Sequence, residues 1–141
     1  MACEQTKFEH RIKEELAMEL TGSWVNQNGS VLTIESEENG SIVGEFVSTK
    51  GRAARGITYP VIGIRNHNLV SFSVNFQSSD HDLRAITTFS GRLEPGSDPK
   101  IHTVWILARE FEDAAQSKPT HVWNTFLTNS DVFTFEESPF D

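Results

Sequence analysis

Two periods of apolar spacing divide this chain. From Glu4 to Leu20, Phe8, Ile12, Leu16 and Leu20 recur at every fourth residue with Glu and Lys on the other faces, and Glu9/Lys13 forms an i,i+4 pair in the favoured order. The spacing predicts an amphipathic helix lying on the surface of the remaining chain, with packing against a second copy as an alternative. Gly22 closes that segment. Beyond it, short runs alternate at a spacing of two, the period of a strand with one face buried.

These runs are Ser23 to Gln27, Ser30 to Ser36, Ile42 to Ser48, Tyr59 to Arg65, Leu69 to Gln77, Leu83 to Leu93, Ile101 to Glu110 and a closing run, Asp131 to Phe135. Asn28-Gly29 and Asn39-Gly40 fall between the first of them and predict tight hairpins, since Asn and Gly tolerate positive φ. Asn66-His67-Asn68, Ser78 to Asp82, and Glu94 to Pro99 supply further breaks. Lys50 to Gly56 is a polar loop without periodicity, carrying the cations Lys50, Arg52 and Arg55.

Strands joined by short turns, with no helical crossover, pair antiparallel with their neighbours. Eight in succession close most economically into an all-β, up-and-down barrel, which removes edge strands and leaves room for one small ligand. A two-sheet sandwich fits the same pattern. The expected organisation is a helical extension over 1–20, the barrel over 21–135 and a tail over 136–141. One strand differs from the rest. Ile101 to Glu110 has Val104 and Ile106 on one face and Trp105 and Leu107 on the other, so it is expected to touch another subunit as well as its own core.

Composition narrows the partners. A net charge of -8 with no basic stripe argues against a nucleic-acid backbone. No apolar run reaches membrane-spanning length. The first residues lack the apolar middle of a secretory signal, leaving either a cytoplasmic protein or one whose signal has been removed. Cys3 is the single cysteine, so no internal disulfide forms and the redox compartment stays open. Enzyme signatures are lacking: there is no phosphate-cradling glycine loop and no G-x-S-x-G elbow. His10, His67, His81, His102 and His121 show no metal-ligand spacing, so no metal and no cofactor are expected.

Binding chemistry is better represented. Parity places Trp24 with Asn26, Phe46 with Ser48, Thr87 with Phe89, and Thr103 with Trp105 and Leu107. It also places Asp131 on one face with Phe133 and Phe135, eight residues after Trp123. A carboxylate on an interior face needs donors from the protein or a ligand; on an exposed strand end it needs only water. A few polar groups converging in an aromatic pocket is the make-up of a small-molecule site.

Leu20-Thr-Gly-Ser-Trp-Val-Asn-Gln-Asn-Gly-Ser30 resembles the opening strand and hairpin of the avidin and streptavidin family. The resemblance continues through Gly44-Glu-Phe-Val-Ser48, Tyr59-Pro60, Thr87-Thr-Phe-Ser-Gly91, Thr103-Val-Trp-Ile-Leu107, Trp123 and Asp131-Val-Phe-Thr134. It covers Leu20 to Phe135. It implies a barrel that binds biotin at its open end, secretion, and a homodimer or homotetramer. By position, Asn26 and Ser30 would donate to the ureido oxygen, and Ser48 and Asp131 would accept from the ureido N–H groups. Thr87 would face the thioether sulfur, while Phe76, Phe89 and Trp105 would wall the rings. Trp123 would cap a neighbouring subunit's ligand, and the loop Thr49 to Gly56 would close over the site.

The resemblance also has departures. Phe46 stands where the family usually has a Tyr that donates to the ureido oxygen, and Phe76 replaces a Trp. Ala85 occupies the position of a Ser that holds the ligand's carboxylate, a loss for which Arg52 in the loop would compensate. These changes imply a weaker biotin site, or else a barrel retuned for another small ligand. An assembly module that does not bind biotin is the third reading. Asn28-Gly-Ser30 and Asn39-Gly-Ser41 match glycosylation sequons, but the hairpin turns account for both.

Overall fold

A computed structural model describes residues 4–7, 18–49, 56–113 and 115–137. Residues 4–7 are helical, and most of the helix expected over Glu4–Leu20 lies outside the described residues. Its expected end is corrected: Met18 to Leu20 have no regular structure. Tertiary partners instead take the backbone groups of this segment. Arg65 Nη1 donates to Met18 O at 2.8 Å, Leu20 N donates to Glu37 Oε2 at 2.9 Å, and Trp24 Nε1 donates to Leu20 O at 2.8 Å.

Eight antiparallel strands follow: β1 (Gly22–Asn26), β2 (Val31–Glu38), β3 (Ser41–Val47), β4 (Thr58–Asn66), β5 (Leu69–Gln77), β6 (Asp82–Glu94), β7 (Lys100–Arg109) and β8 (Phe126–Glu136). Each pairs with the next, and β8 returns to β1, with Trp24 opposite Phe135 and Asn26 opposite Phe133. The sheet is therefore a closed barrel, not a sandwich. Asn39 and Gly40 both adopt positive φ, as the β2–β3 hairpin requires. In the β1–β2 turn Gly29 alone does so, while the Asn28 N–H donates to Asn26 Oδ1 at 3.0 Å.

β8 begins at Phe126, before the expected Asp131, and it pairs with β7 from Ala108↔Phe126 down to Lys100↔Thr134. Its first five residues are all exposed, so no alternation marked them in the sequence. A single 3-10 turn, Val122–Thr125, precedes it.

Inward positions fill the middle of the barrel with rings. Phe72 stacks on Phe89 at 4.7 Å, and Phe133 meets both edge-on at 5.9 and 5.6 Å. Trp24, Leu20, Leu93 and Ile101 are fully or almost fully buried. The end near Leu20 is shut by the ion pair of Arg65 with Glu37, whose side chains are only 6% and 17% exposed. Gly44 shows how closely the strands approach, since a Cβ there would lie 2.2 Å from Thr33 O. Outward, the described residues leave two apolar faces in the single chain: Val43, Ile62, Ile64 and Leu69 on β3–β5, and Ile86, Val104, Ile106, Phe126 and Val132 on β6–β8.

Candidate ligand-binding site

At the end opposite the Arg65–Glu37 pair, the barrel opens into a cavity of about 670 Å³, within the range that holds small-molecule ligands. The alternation of each strand decides which side chains face it. From the β1–β2 hairpin come Asn26 and Ser30, from the exit of β3 Phe46 and Ser48, from β5 Phe76. β6 supplies Ala85, Thr87 and Phe89, β7 supplies Trp105, and β8 supplies Asp131. Ten of the twelve residues singled out in the sequence are thus brought together. Arg52 lies outside the described residues, as does most of its loop. Trp123 does not line this cavity; it is 68% exposed on the 3-10 turn and stacks on His121 at 4.3 Å.

The polar members sit at the inner end and are buried: Asn26, Ser30, Ser48, Thr87 and Asp131 are each no more than 9% exposed. Asp131 is therefore not a solvated strand end. Asn26 Nδ2 donates to its Oδ2 at 3.1 Å, and Gln27 Nε2 donates to its Oδ1 at 2.7 Å. Gln27 is in turn fixed to the next strand, because its Oε1 accepts from Val132 N at 2.9 Å. The carboxylate is thus oriented by two amides while retaining lone pairs, since an ionised carboxylate offers about four acceptor sites.

Asn26 is held just as firmly. Its Oδ1 accepts from Asn28 N and Ser30 N at 3.0 and 2.9 Å. An amide NH₂ has two donors, so one Asn26 N–H remains beyond the bond to Asp131. Ser30 Oγ accepts from Thr49 N at 3.0 Å and lies 3.3 Å from Thr49 Oγ1. Thr49 commits its own hydroxyl proton to Asn28 O at 2.7 Å, which makes Ser30 the donor at that contact. The inner end therefore presents a directed donor from Asn26 beside an acceptor, Asp131, while Ser30 turns its one hydroxyl proton to Thr49 Oγ1.

The walls are aromatic. Phe46 meets Phe76 edge-on at 6.4 Å and lies 6.3 Å from Phe89. Trp105 adds a buried Nε1–H without a partner among the described residues. Behind Phe46, its cross-strand neighbour Tyr59 packs on Phe76 at 5.0 Å, and burial raises the pKa of its hydroxyl.

The sequence had singled out Leu107 beside Trp105 by parity, but not Gln27 or, at the mouth, Leu83, Arg109 and Phe111. Leu83 shares parity with Ala85 and Thr87, and Leu107 and Arg109 share it with Trp105, so alternation carried that signal. Gln27 follows the last residue of β1 and carries no such signal; only the fold brings it to Asp131. Asp113, also at the mouth, has its pKa lowered chiefly by the backbone N–H of Ser117. Among the described residues no cluster of His, Cys, Asp or Glu could hold a metal ion, and no helix is long and apolar enough to cross a membrane.

The geometry has counterparts among known proteins. The model of the Avidin family matches residues 14–136. The chain belongs to the avidin family. Afifavidin from Afifella pfennigii is 33% identical over 91 residues, which are 63% of this chain and 57% of that protein, so the chain spans little more than half the length of this curated relative. The crystal structure of apo shwanavidin superposes with a TM-score of 0.70 at 30% identity, covering 85% of this chain and 99% of that one. The complex of a shwanavidin point variant with biotin gives a TM-score of 0.70 at 31% identity, over 85% of this chain and all of that one.

Proposed function

We propose that this avidin-family protein binds biotin non-covalently in the open end of its barrel and performs no catalysis. The observation that carries the reading is the inner end of the cavity, where the remaining N–H of buried Asn26 stands beside the oriented acceptor Asp131, with the Ser30 hydroxyl next to them. A urea group has one acceptor oxygen and two N–H donors, and it needs that complement. Asn26 donates to the ureido oxygen, as does Ser30 once its proton turns from Thr49 Oγ1 to the ligand, while Ser48 and Asp131 accept from the ureido N–H groups. A carboxylate acceptor makes a charge-assisted bond and pushes electron density toward the opposite oxygen, strengthening the bonds made there. Phe46, Phe76, Phe89 and Trp105 enclose the bicyclic rings, and Thr87 faces the sulfur.

The similarity to a relative solved with biotin supports the assignment. Phe46 withholds one hydroxyl from the ureido oxygen, so the site is weaker than one with Tyr at that position. Extracellular action accords with the family resemblance. Trp123, exposed in the single chain, serves a neighbouring subunit's site in a homodimer or homotetramer, and Arg52 belongs to the loop that closes over the ligand.

Isothermal titration with biotin tests the reading, with Asp131→Ala as control. The variant removes a charge-assisted acceptor worth about 1.5–3 kcal/mol and strands the amides of Asn26 and Gln27. Its affinity should fall by about a hundredfold or more. No saturable heat with the unmodified chain would overturn the assignment.

A further inference from the structure

The cavity is graded along its length. Beyond its polar inner end and aromatic walls lies a mouth whose apolar members are Leu83, Ala85, Leu107 and Phe111, with Asp82 and Asp113 also on it. Among the described residues one cation stands in that mouth. Arg109, the last residue of β7, is half-buried and lies directly across the β6–β7 ladder from Ala85, so their Cβ atoms are about 5 Å apart. Parity fits as well: Arg109 is four residues beyond Trp105 on β7, as Ala85 is four from Phe89 on β6, and all four line the cavity.

The guanidinium is underused. Nη2 donates to Asn124 O at 2.9 Å, which anchors the head, while Nε is buried without a partner among the described residues. Five N–H donors in a fixed fork suit a carboxylate better than a single carbonyl. The nearby acids take their hydrogen bonds elsewhere, although the charge of Arg109 also helps to lower the pKa of Asp113. Asp82 accepts from Arg84 N at 2.8 Å and Gln77 Nε2 at 3.1 Å, and Asp113 accepts from Ala115 N and Ser117 N at 3.0 and 3.1 Å. Among the described residues no carboxylate lies within ion-pair distance of Arg109.

We infer that Arg109 receives the carboxylate at the free end of the ligand's aliphatic tail, so that the site prefers the free acid over the same molecule joined through an amide. The inference rests on the biotin reading and deepens it. A small residue at position 85 leaves the space across the ladder open to the long side chain, and a charge takes over from the hydroxyl that the family resemblance leads one to expect there. Half-burial in an apolar mouth shields the pair from solvent and strengthens it relative to an exposed one.

The test is titration of biotin and of biotin primary amide against the unmodified chain, Arg109→Gln and Arg109→Lys. The unmodified chain should bind the acid about tenfold or more tightly than the amide, as a charged hydrogen bond requires. That preference should shrink with added salt. Arg109→Gln should weaken the acid about tenfold more than the amide, and Arg109→Lys should restore part of the difference. An acid-to-amide ratio that Arg109→Gln leaves unchanged would overturn the inference, as would equal weakening of both ligands, which would mark Arg109 as an anchor for Asn124 alone. If the unmodified chain binds neither ligand, the biotin reading falls first and this inference with it. Binding of both at an unaltered ratio removes only the role of Arg109.

Discussion

Asp131 shows how a single residue's meaning depends on its surroundings. An acid among phenylalanines is costly unless donors meet it, and here Asn26 and Gln27 supply one bond to each oxygen. These bonds hold the acceptor in place before any ligand arrives, so the ordering cost is met in folding rather than in binding. Phe46 is the complementary case, a position where chemistry is missing. It is buried on the cavity wall two residues before Ser48. Phe46→Tyr should tighten biotin binding by roughly tenfold, the worth of one added neutral hydrogen bond of about 1.5 kcal/mol at most. Competition against a labelled biotin measures it. An unchanged affinity would show that the para position of this ring does not reach the ureido oxygen.

At the scale of elements, the barrel depends on different physics at its two ends. The open end is kept polar by a hairpin whose turn atoms serve Asn26 and Ser30. The other end is shut by Arg65 on β4, which holds Glu37 on β2, His67 O in the β4–β5 turn and Met18 O before β1. One side chain thereby ties together three parts of the chain. Arg65→Ala would leave Glu37 buried without its partner, and losses of about 3 kcal/mol or more are typical of such breaks. Thermal unfolding should show a midpoint lower by roughly 10 °C for a chain of this size, while biotin affinity should stay unaffected because none of these residues lines the cavity. A midpoint within a degree or two of the unmodified chain would mean that the end is closed by packing alone.

At the scale of the whole molecule, the outward faces bear on assembly. Val104 and Ile106 are 60% and 52% exposed in the single chain, next to Phe126 and Val132 on the paired strand β8. A contiguous apolar face of this kind on a barrel wall marks a contact surface. Covering it with a second copy also explains why β7 is apolar on both faces. Ile106→Lys should shift the chain toward the monomer in size-exclusion chromatography with light scattering. An unaltered mass would place the interface elsewhere, the face formed by Val43, Ile62 and Ile64 being the other apolar surface. If Trp123 caps a neighbour's ligand, the same substitution should also weaken biotin binding without touching the cavity.

Much of this protein was legible as pattern. The period-two runs with their Asn-Gly and Asn-His-Asn turns determined the strands and their antiparallel order, because alternation and turn geometry are local properties. The family resemblance, carried over by position, also marked ten of the lining residues. Three things required the fold. Closure of β8 on β1 is a long-range pairing, and the start of β8 at Phe126 was hidden because its first residues are exposed on both faces. The end of the N-terminal segment was set by Arg65, Glu37 and Trp24, which capture backbone groups that the spacing of four had assigned to a helix. Gln27 and Arg109 became part of the site only when the barrel brought Gln27 to Asp131 and set Arg109 across from Ala85. Local spacing encodes which face a side chain takes, whereas its partners across the barrel are decided only when distant strands come into register.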